Sequence, residues 1–277
     1  MSGSENVAQA QALLRKASAN RRFTRTPLGE WTIRVVVLVG VLLAWEIFAQ
    51  DVPRALTAPP SEIGAAAWNQ LFVTGEIWGP LGSSLTILVT GLATALVIGI
   101  PIGVAMGRYR IVANALDPYV TFFYSIPNVA LVPALIILVG FDTSFRFTYV
   151  VIASIWPIII NTMAGVRAVD NNLLDAGIAY SAKERQIVGG IIIPSASPYM
   201  VAGGRQAFTE AWSAVIVGEA TTTLAGVGGM VELFAQYYLT ADMFVPIFAI
   251  MIVGVIIQGL TAWAQQKLTP WQQVQTS

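Results

Sequence analysis

The sequence predicts an all-α membrane protein with about six transmembrane helices. Apolar residues make up 56% of its 277 residues and charged residues only 11%, about half the charged fraction of an ordinary soluble domain. A membrane-spanning helix needs about 20 largely apolar residues in a row, so the long stretches with few or no charges are candidate spans. They lie at 35–49, 82–107, 118–141, 147–166, 205–230 and 243–266.

The basic residues predict which side of the membrane each span end faces. Of the 15 basic residues, 13 lie before the first span or at the span ends that face the same side as the N-terminus. Arg54 and Arg146 lie in the loops of the other side. Basic residues collect in the short loops of the cytoplasmic side, so both termini are predicted to be cytoplasmic. The predicted organisation is a cytoplasmic tail over 1–30, a transmembrane domain over 31–266 and a second tail over 267–277.

The composition also excludes several classes of function. The chain contains neither Cys nor His, which removes disulfides, Cys or His metal sites and nucleophiles activated by His. Its net charge is zero, so no overall field favours nucleic acid as a partner. We therefore expect no catalytic residue, no metal and no cofactor, and a lipid bilayer as the surroundings.

A short helix is predicted between the first two spans. Pro59 and Pro60 oppose a helix upstream, Ser61 is a suitable cap and Glu62 suits a first helical turn. Glu46, near the end of the first span, is expected to reach towards the membrane surface and is given no function.

The polar segment 167–200 predicts two short helices with a bend between them. Apolar residues recur at helical spacing up to Tyr180 and again from Ile187, Ser181 separates the two runs, and Pro194 is expected to end the second. The small side chains of residues 176 and 177 are expected on an exposed turn, where another surface can approach the backbone closely.

This segment resembles the cytoplasmic coupling loop of the permeases of ATP-driven, ABC-type importers. That loop reads Glu-Ala-Ala, three residues, Gly, nine residues, Ile, one residue, Leu-Pro. Here Asp175-Ala176-Gly177, Ser181, Ile191 and Ile193-Pro194 stand at the same offsets. Ser181 replaces a glycine that allows a sharp bend. The resemblance implies that a separate ATPase subunit is contacted by Asp175, Ala176, Gly177, Ser181, Ala182, Ile191 and Pro194.

Other stretches resemble the nitrate, sulfonate, taurine and bicarbonate group of these permeases. They are 125–127, 131–133, 161–167, 203–205, 211–212, 219 and 225–228. The resemblance implies a type I ABC importer permease fold in the bacterial inner membrane, with no enzymatic activity in this chain. It implies three kinds of partner: two ATPase subunits, a second copy of the permease and an extracytoplasmic substrate-binding protein. The cargo would be a small solute such as an anion.

Two residues of the fifth predicted span are candidates for a translocation pathway. By count Glu219 lies mid-span, seven residues after Trp212 and so on the same helical face. A carboxylate at that depth is costly and usually faces the interior of the bundle. A hydrogen bond to a neighbouring helix is the alternative. Glu210 is expected to pair with Arg205 or Arg167.

Prolines within the spans mark three further pathway candidates. Tyr124 and Asn128 lie one turn apart beside Pro127, and Asn161 follows Pro157 by one turn. A proline frees a backbone carbonyl, which is tolerated in a membrane where it faces protein or a water-filled cavity. Ordinary packing between helices is the alternative.

Glycine patterns have simpler interpretations. The second span carries glycines at 91, 99, 103 and 107, a small-residue stripe typical of close helix packing. The glycine-rich run at 226–229 has no lysine and is not interpreted as a phosphate loop.

Two other functions remain open from the residues alone. A secondary transporter driven by an ion gradient would commonly show internal repeats, and none is clear in this sequence. A structural membrane scaffold would leave the intramembrane carboxylates without a role.

The predicted topology can be tested with reporter tags. A tag fused after Ser277 should report the cytoplasmic side and a tag near Gly75 the opposite side, because an even number of spans returns the chain to its starting side. Labelling of the C-terminal tag from outside intact cells would contradict the predicted sidedness.

Overall fold

The computed structural model describes residues 27–222 and 225–268, and the regular structure within them is helical. The predicted tails lie almost wholly outside these residues. The helices are α1 (Pro27–Gln50), α2 (Pro60–Trp68), α3 (Trp78–Arg108), α4 (Arg110–Ser125), α5 (Val132–Val139), α6 (Thr143–Arg167), α7 (Asn171–Ala179), α8 (Glu184–Ile187), α9 (Ile193–Thr222), α10 (Gly226–Gln236) and α11 (Thr240–Leu268). Two π-helical segments, Asn69–Val73 and Val188–Ile192, and a 3-10 turn, Asn128–Leu131, complete them.

Five helical segments are long and apolar enough to cross a membrane. They are Glu30–Gln50, Trp78–Arg108, Thr143–Arg167, Glu184–Thr222 and Thr240–Trp263. A sixth is possible if α4 and the segment Asn128–Val139 count as one span, although the pair is bent by 95°. The all-α membrane class with about six spans is therefore confirmed for the described residues.

Two span boundaries differ from the sequence prediction. Pro194 does not end a helix, because α8, the second π segment and α9 form one continuous rod. Inside a helix a proline removes one backbone hydrogen bond and crowds the preceding turn. The π-helical segment Val188–Ile192 lies directly before it, and such a local change of helical geometry lets the rod continue past Pro194. The predicted span 205–230 is wrong at its far end: α9 stops at Thr222 and a separate helix begins at Gly226.

The described residues fall into two compact units, 27–65 and the described part of the chain from residue 66 onwards. In the first unit, Ser61 does not cap α2, because the helix already begins at Pro60. Its backbone N–H and its hydroxyl both donate to the Glu46 carboxylate, at 3.0 and 2.7 Å. Glu46 therefore ties α1 to the start of α2, a role that the sequence did not reveal.

The second unit is organised around α6, which packs against α3 and α9. The glycine stripe of α3 is confirmed as the contact with α6. A Cβ added at Gly91 would lie 2.6 Å from Val150 Cγ1, and one at Gly107 would lie 2.5 Å from Val166 Cβ. Only glycine permits this approach. The ends of α3, α4 and α6 that carry Arg108, Arg110 and Arg167 lie together and are called the Arg-rich end.

The stripe predicts different outcomes for two alanine substitutions in the same helix. At Gly103 an added Cβ would lie 2.6 Å from Thr162 Cβ and 2.8 Å from the Ile159 carbonyl oxygen, whereas at Gly82 nothing lies within 4 Å. We expect Gly103→Ala to cost about 1–3 kcal/mol by overpacking. Gly82→Ala should be neutral or stabilising by up to about 1 kcal/mol, because alanine favours helices. Thermal unfolding in detergent measures both, and equal stability would contradict the packing described.

Candidate functional site

A break in the third predicted span opens a cavity. α4 ends at Ser125, Ile126 is extended (φ −80°, ψ 126°), and a 3-10 turn follows Pro127. The residue before a proline avoids the helical conformation because the proline ring clashes with its backbone. The sequence Ile126-Pro127 thus accounts for the position of the bend.

The cavity has a volume of about 370 Å³ and lies at mid-depth, since Ala153 and Trp156 of its lining are near the middle of α6. Tyr124 and Asn128 both line it, but on different elements, so the prediction that they lie one helical turn apart is wrong. The lining consists of Tyr124, Ser125, Ile126, Pro127, Asn128, Ala153, Trp156 and Glu210.

Glu210 provides the charge of this cavity. Its Oε2 accepts a hydrogen bond from Asn128 Nδ2 at 3.0 Å. The expected partners, Arg205 and Arg167, form no ion pair with it within the described residues. The helix break brings Asn128 to α9, which could not be foreseen from a continuous third span.

A second polar chain connects α4, α6 and α9. Asn161 Nδ2 donates to the Pro157 carbonyl at 2.8 Å and to Gln206 Oε1 at 3.3 Å, and Gln206 Nε2 donates to the Tyr124 hydroxyl at 3.0 Å. Sequence reasoning missed Gln206. Its spacing of four residues from Glu210 was the available signal, because residues i and i+4 share a helix face.

The polar face continues along α9. A second cavity of about 360 Å³ is lined by Arg205, Gln206 and Thr209 of α9, with Gln258 of α11 among the remaining residues. α9 runs from the Arg-rich end, so this cavity lies nearer to that end than the Glu210 cavity does.

These polar groups are accessible on the surface of the single chain. Gln206 and Thr209 are exposed and Tyr124 is 45% exposed, although their helices have the apolar character of spans. Lipid tails offer no hydrogen bonds, and an unsatisfied polar group there costs several kcal/mol. This face therefore suits a water-filled path or another protein surface and does not suit lipid.

Glu219 occupies a different, closed environment. Its side chain is fully buried, and the Ser84 hydroxyl lies 2.8 Å from both carboxylate oxygens. The backbone N–H of Gly228 donates to Oε2 at 3.1 Å, and that of Val227 donates to the Ser84 hydroxyl at 2.9 Å. Arg146 Nη1 lies 3.8 Å from Oε1. This Glu219 cluster joins α3, α6, α9 and α10 at the end opposite the Arg-rich end.

The cluster corrects three expectations. Glu219 is not mid-span, because α9 ends only three residues later at Thr222. Arg146, assigned to an outer loop, is buried in the first turn of α6 and 6% exposed. The residues Glu219 and Trp212 line neither cavity in this structure: Trp212 packs in the apolar core, and Glu219 makes the interhelical hydrogen bonds that were the alternative.

The glycines after α9 are explained by the same carboxylate. Gly226 has a positive φ of 75°, and a Cβ there would collide with the Glu219 carboxyl group. A side chain at Gly228 would lie 2.5 Å from the Ile216 carbonyl oxygen. The start of α10 does bind an anion, as helix N-termini can, but the anion is a side chain of this chain.

The segment that resembles a coupling loop forms a compact hairpin. Asp170 caps α7 by accepting from the Asn172 N–H at 2.9 Å. Ser181 provides the bend with a φ of 54°, the left-handed conformation that glycine adopts most easily. The predicted bend at Ser181 and the first short helix, α7, are present, but the second helix is not short, because α8 continues into α9.

Gly177 does not lie on an exposed turn. A Cβ added there would lie 2.9 Å from Ile191 Cδ1 and 3.5 Å from Ile187 Cγ1. The close approach predicted for a partner is therefore made by the second helix of the hairpin. Asp175 and Ala176 are exposed, and Ala182 packs beside a small apolar core that includes Ile187 and Ile192.

The hairpin is attached to the Arg-rich end by an ion pair that sequence reasoning missed. Arg108 donates to Glu184 through Nε at 2.8 Å and through Nη2 at 3.1 Å, and the Tyr109 hydroxyl donates to the same carboxylate at 3.2 Å. That hydrogen bond raises the pKa of Tyr109. A bidentate pair of this kind fixes orientation as well as distance, so α8 is held to the end of α3.

The Glu219 cluster makes a testable prediction. Glu219→Gln leaves the Arg146 guanidinium buried without its charge partner, and removing one member of a buried pair costs about 3–5 kcal/mol. We expect a clear fall in the unfolding temperature, with partial recovery in Glu219→Gln combined with Arg146→Met. Glu76→Gln is the matched control, because Glu76 is exposed. If Glu219→Gln unfolded at the same temperature as the unsubstituted protein and as Glu76→Gln, the role given to the cluster would be contradicted.

Comparison with known proteins agrees with this architecture. Residues 95–270 match the family described as binding-protein-dependent transport system inner membrane component. The chain is 30% identical over 203 residues to a probable ABC transporter permease protein of Brucella abortus, covering 73% of this chain and 81% of that one. It is 27% identical over 264 residues to the taurine transport system permease protein TauC of Escherichia coli, covering 92% and 96%.

A solved structure shows the same fold. It is described as inward facing conformations of the MetNI methionine ABC transporter, and it superposes with a TM-score of 0.60 at 19% identity, covering 68% of this chain and 93% of that chain. The chain therefore belongs to the family of binding-protein-dependent transport system inner membrane components, the permeases of ABC importers, and is a multi-pass protein of the bacterial inner membrane.

Proposed function

We propose that this chain forms half of the translocation pathway of an ATP-driven importer and couples that pathway to a separate ATPase subunit by alternating access. Hydrolysis of ATP takes place on the partner, and the cargo is a small polar solute delivered by a substrate-binding protein. Family membership favours this function over the secondary transporter driven by an ion gradient.

The observation that carries the proposal is the polar face of α4, α6 and α9. It includes two cavities and partly exposed Tyr124 and Gln206 at membrane depth. One chain leaves this face open on one side. A second copy of the permease, facing the first, would close it into a conduit and shield it from lipid.

The hairpin presents an exposed face that suits contact with an ATPase subunit. Leu173 and Ala176 lie on one face of α7, and Tyr180 directly follows the helix at the spacing of that face. All three are exposed, Tyr180 at 89%. The face beside it, with Leu174 and Gly177, packs on the rest of the hairpin. The exposed face is small and apolar, as expected for a helix that enters a groove of an ATPase subunit.

The hairpin is connected to two membrane-spanning helices, so its movement would be transmitted to them. α8 continues without interruption into α9, which carries Gln206, Glu210 and Glu219. The Arg108–Glu184 ion pair links the same hairpin to α3. ATP-driven closure of the ATPase pair would therefore tilt α3 and α9 together, which shifts the balance between two states of the conduit.

The conformation described here fits one state of such a cycle. The Glu219 cluster closes the end opposite the hairpin, while the cavities lie between that cluster and the Arg-rich end. The structural relative is described in inward facing conformations, and the same state is proposed for this chain. Transport would then require the cluster to loosen in the alternate state.

The coupling role is tested with an exposed position, since Gly177 contacts the hairpin itself. Ala176→Arg adds a long charged side chain to the proposed docking face without altering a contact within the chain. We expect loss of ATPase co-purification, or ATPase activity without uptake, because overpacking and an unpaired charge in a tight interface both oppose binding.

Ala235→Arg is the matched control, because Ala235 is also an exposed helical alanine but lies at the opposite end, in α10. It should retain the ATPase. Normal co-purification and uptake by Ala176→Arg, at equal permease levels in the membrane, would contradict the proposed coupling face.

A further inference from the structure

We propose that the cavity beside the helix break selects solutes carrying a protonated amine, and that Glu210 is the specificity-determining residue. This inference rests on the proposed function, in which the cavity belongs to the translocation pathway. It narrows the expected cargo from a small anion to an amine or a zwitterion.

The charge of the cavity is one-sided. Of the eight residues that line it, Glu210 alone carries a formal charge at neutral pH. Within the described residues, no basic side chain lies within 4 Å of its carboxylate. Charges interact more strongly at membrane depth than in water, because the surroundings have a lower dielectric constant. An anion entering the cavity would therefore be repelled, and a cation would be attracted.

The remaining lining suits an ammonium group. Asn128 holds one carboxylate oxygen, Oε2, and so orients the carboxylate while leaving acceptor positions for a ligand. Trp156 lines the same cavity, with Phe123 stacked on its ring at 5.4 Å between centroids. The carboxylate of Glu210, the indole of Trp156 and the phenol of Tyr124 together make a binding environment that favours organic cations.

Comparison with Glu219 separates this role from a structural one. Glu219 is fully buried, with the Ser84 hydroxyl and the Gly228 N–H as donors and an arginine nearby. Glu210 is only partly buried and receives one hydrogen bond, from Asn128. A carboxylate kept in a membrane domain without a cation, but open to a cavity, is suited to accept a cation from outside.

Arg205 extends the argument to zwitterions. It lines the neighbouring cavity, five residues before Glu210 on the same helix. A solute that passes along α9 would meet the carboxylate in one cavity and the guanidinium in the next. Amines and zwitterions both carry the protonated amine that Glu210 would bind. The anionic group of a zwitterion would be bound by Arg205.

The absence of cysteine allows a direct measurement of the potential in the cavity. Ser125→Cys places one thiol in its lining, and methanethiosulfonate reagents with neutral, cationic and anionic groups are applied to the permease assembled with its ATPase. We expect the cationic reagent to react faster than the anionic one. Glu210→Gln should lower this ratio about threefold or more, and the distant Glu76→Gln should leave it unchanged. Ile126→Cys, also in the lining, gives the same measurement if Ser125→Cys assembles poorly.

The reagents distinguish failure of this inference from failure of the proposed function. If the thiol does not react with the neutral reagent in the folded complex but reacts after unfolding, the cavity is not accessible and the proposed pathway is wrong. If the thiol reacts but the charge ratio is independent of Glu210, the pathway stands and the inference is overturned.

The class of cargo is tested by protection of the same thiol from the neutral reagent. Taurine, ethanolamine and ethanesulfonate are the probes, because ethanesulfonate lacks the amine of taurine and ethanolamine lacks the sulfonate. We expect both amines to slow the reaction, ethanesulfonate to have little effect, and Glu210→Gln to abolish the protection. Equal protection by ethanesulfonate and taurine, or no protection by either amine, would overturn the inference.

Discussion

The close approach of α6 to α3 and α9 is the constraint on which the rest of this structure depends. At Gly165 and Gly203 of the α6–α9 contact, as along α3, an added Cβ would lie within about 3 Å of a neighbouring atom. Lipid tails are as apolar as leucine, so helices in a membrane gain little from hydrophobic burial and depend on close van der Waals contact. The three helices therefore form a unit against which the broken pair α4 and α5 and the shorter α10 can be positioned.

The two carboxylates of α9 show how one helix can combine a structural and a functional charge. Glu219 has its charge balanced by Arg146 and by donors from α3 and α10, which makes it part of the scaffold. Glu210 has Asn128 as a partner and opens to a cavity. Retaining a charge in the membrane is costly. For Glu219 the cost is offset by hydrogen bonds between helices, and for Glu210 the carboxylate is explained by the cavity to which it opens.

Much of the fold could be predicted from sequence because its signals are local. The apolar stretches predicted the spans, the glycines at four positions of α3 predicted close packing, and Ser181 marked the bend of the hairpin. Pro127 was marked as a place where a backbone carbonyl is freed, but the break there and its angle were not predicted. A proline next to an extended residue interrupts a helix, whereas the direction of the following chain depends on what α5 packs against.

The predictions that were wrong concern the partner or the depth of a side chain, neither of which is set by the local sequence. Helical spacing placed Gly177 on a close-contact face but did not show that Ile191 of the same chain fills the contact. Counting from a presumed span placed Glu219 at mid-depth, because nothing local revealed that α9 starts early and ends at Thr222. Arg146 was assigned to a loop because the charge-free stretch of the next span begins at residue 147, and its partner Glu219 lies more than 70 residues away.

The central claim is that the exposed face of α7 docks on an ATPase subunit and moves α9. A photoactivatable cross-linker introduced at Tyr180, which is 89% exposed, tests this in membranes that contain the assembled transporter. We expect a cross-link to the ATPase subunit, with a yield that changes when ATP is bound without hydrolysis. We expect no ATPase cross-link from the same group at Tyr237, which is also exposed, at 68%, but belongs to the opposite end. Absence of an ATPase adduct at Tyr180, with the complex intact, would contradict the account.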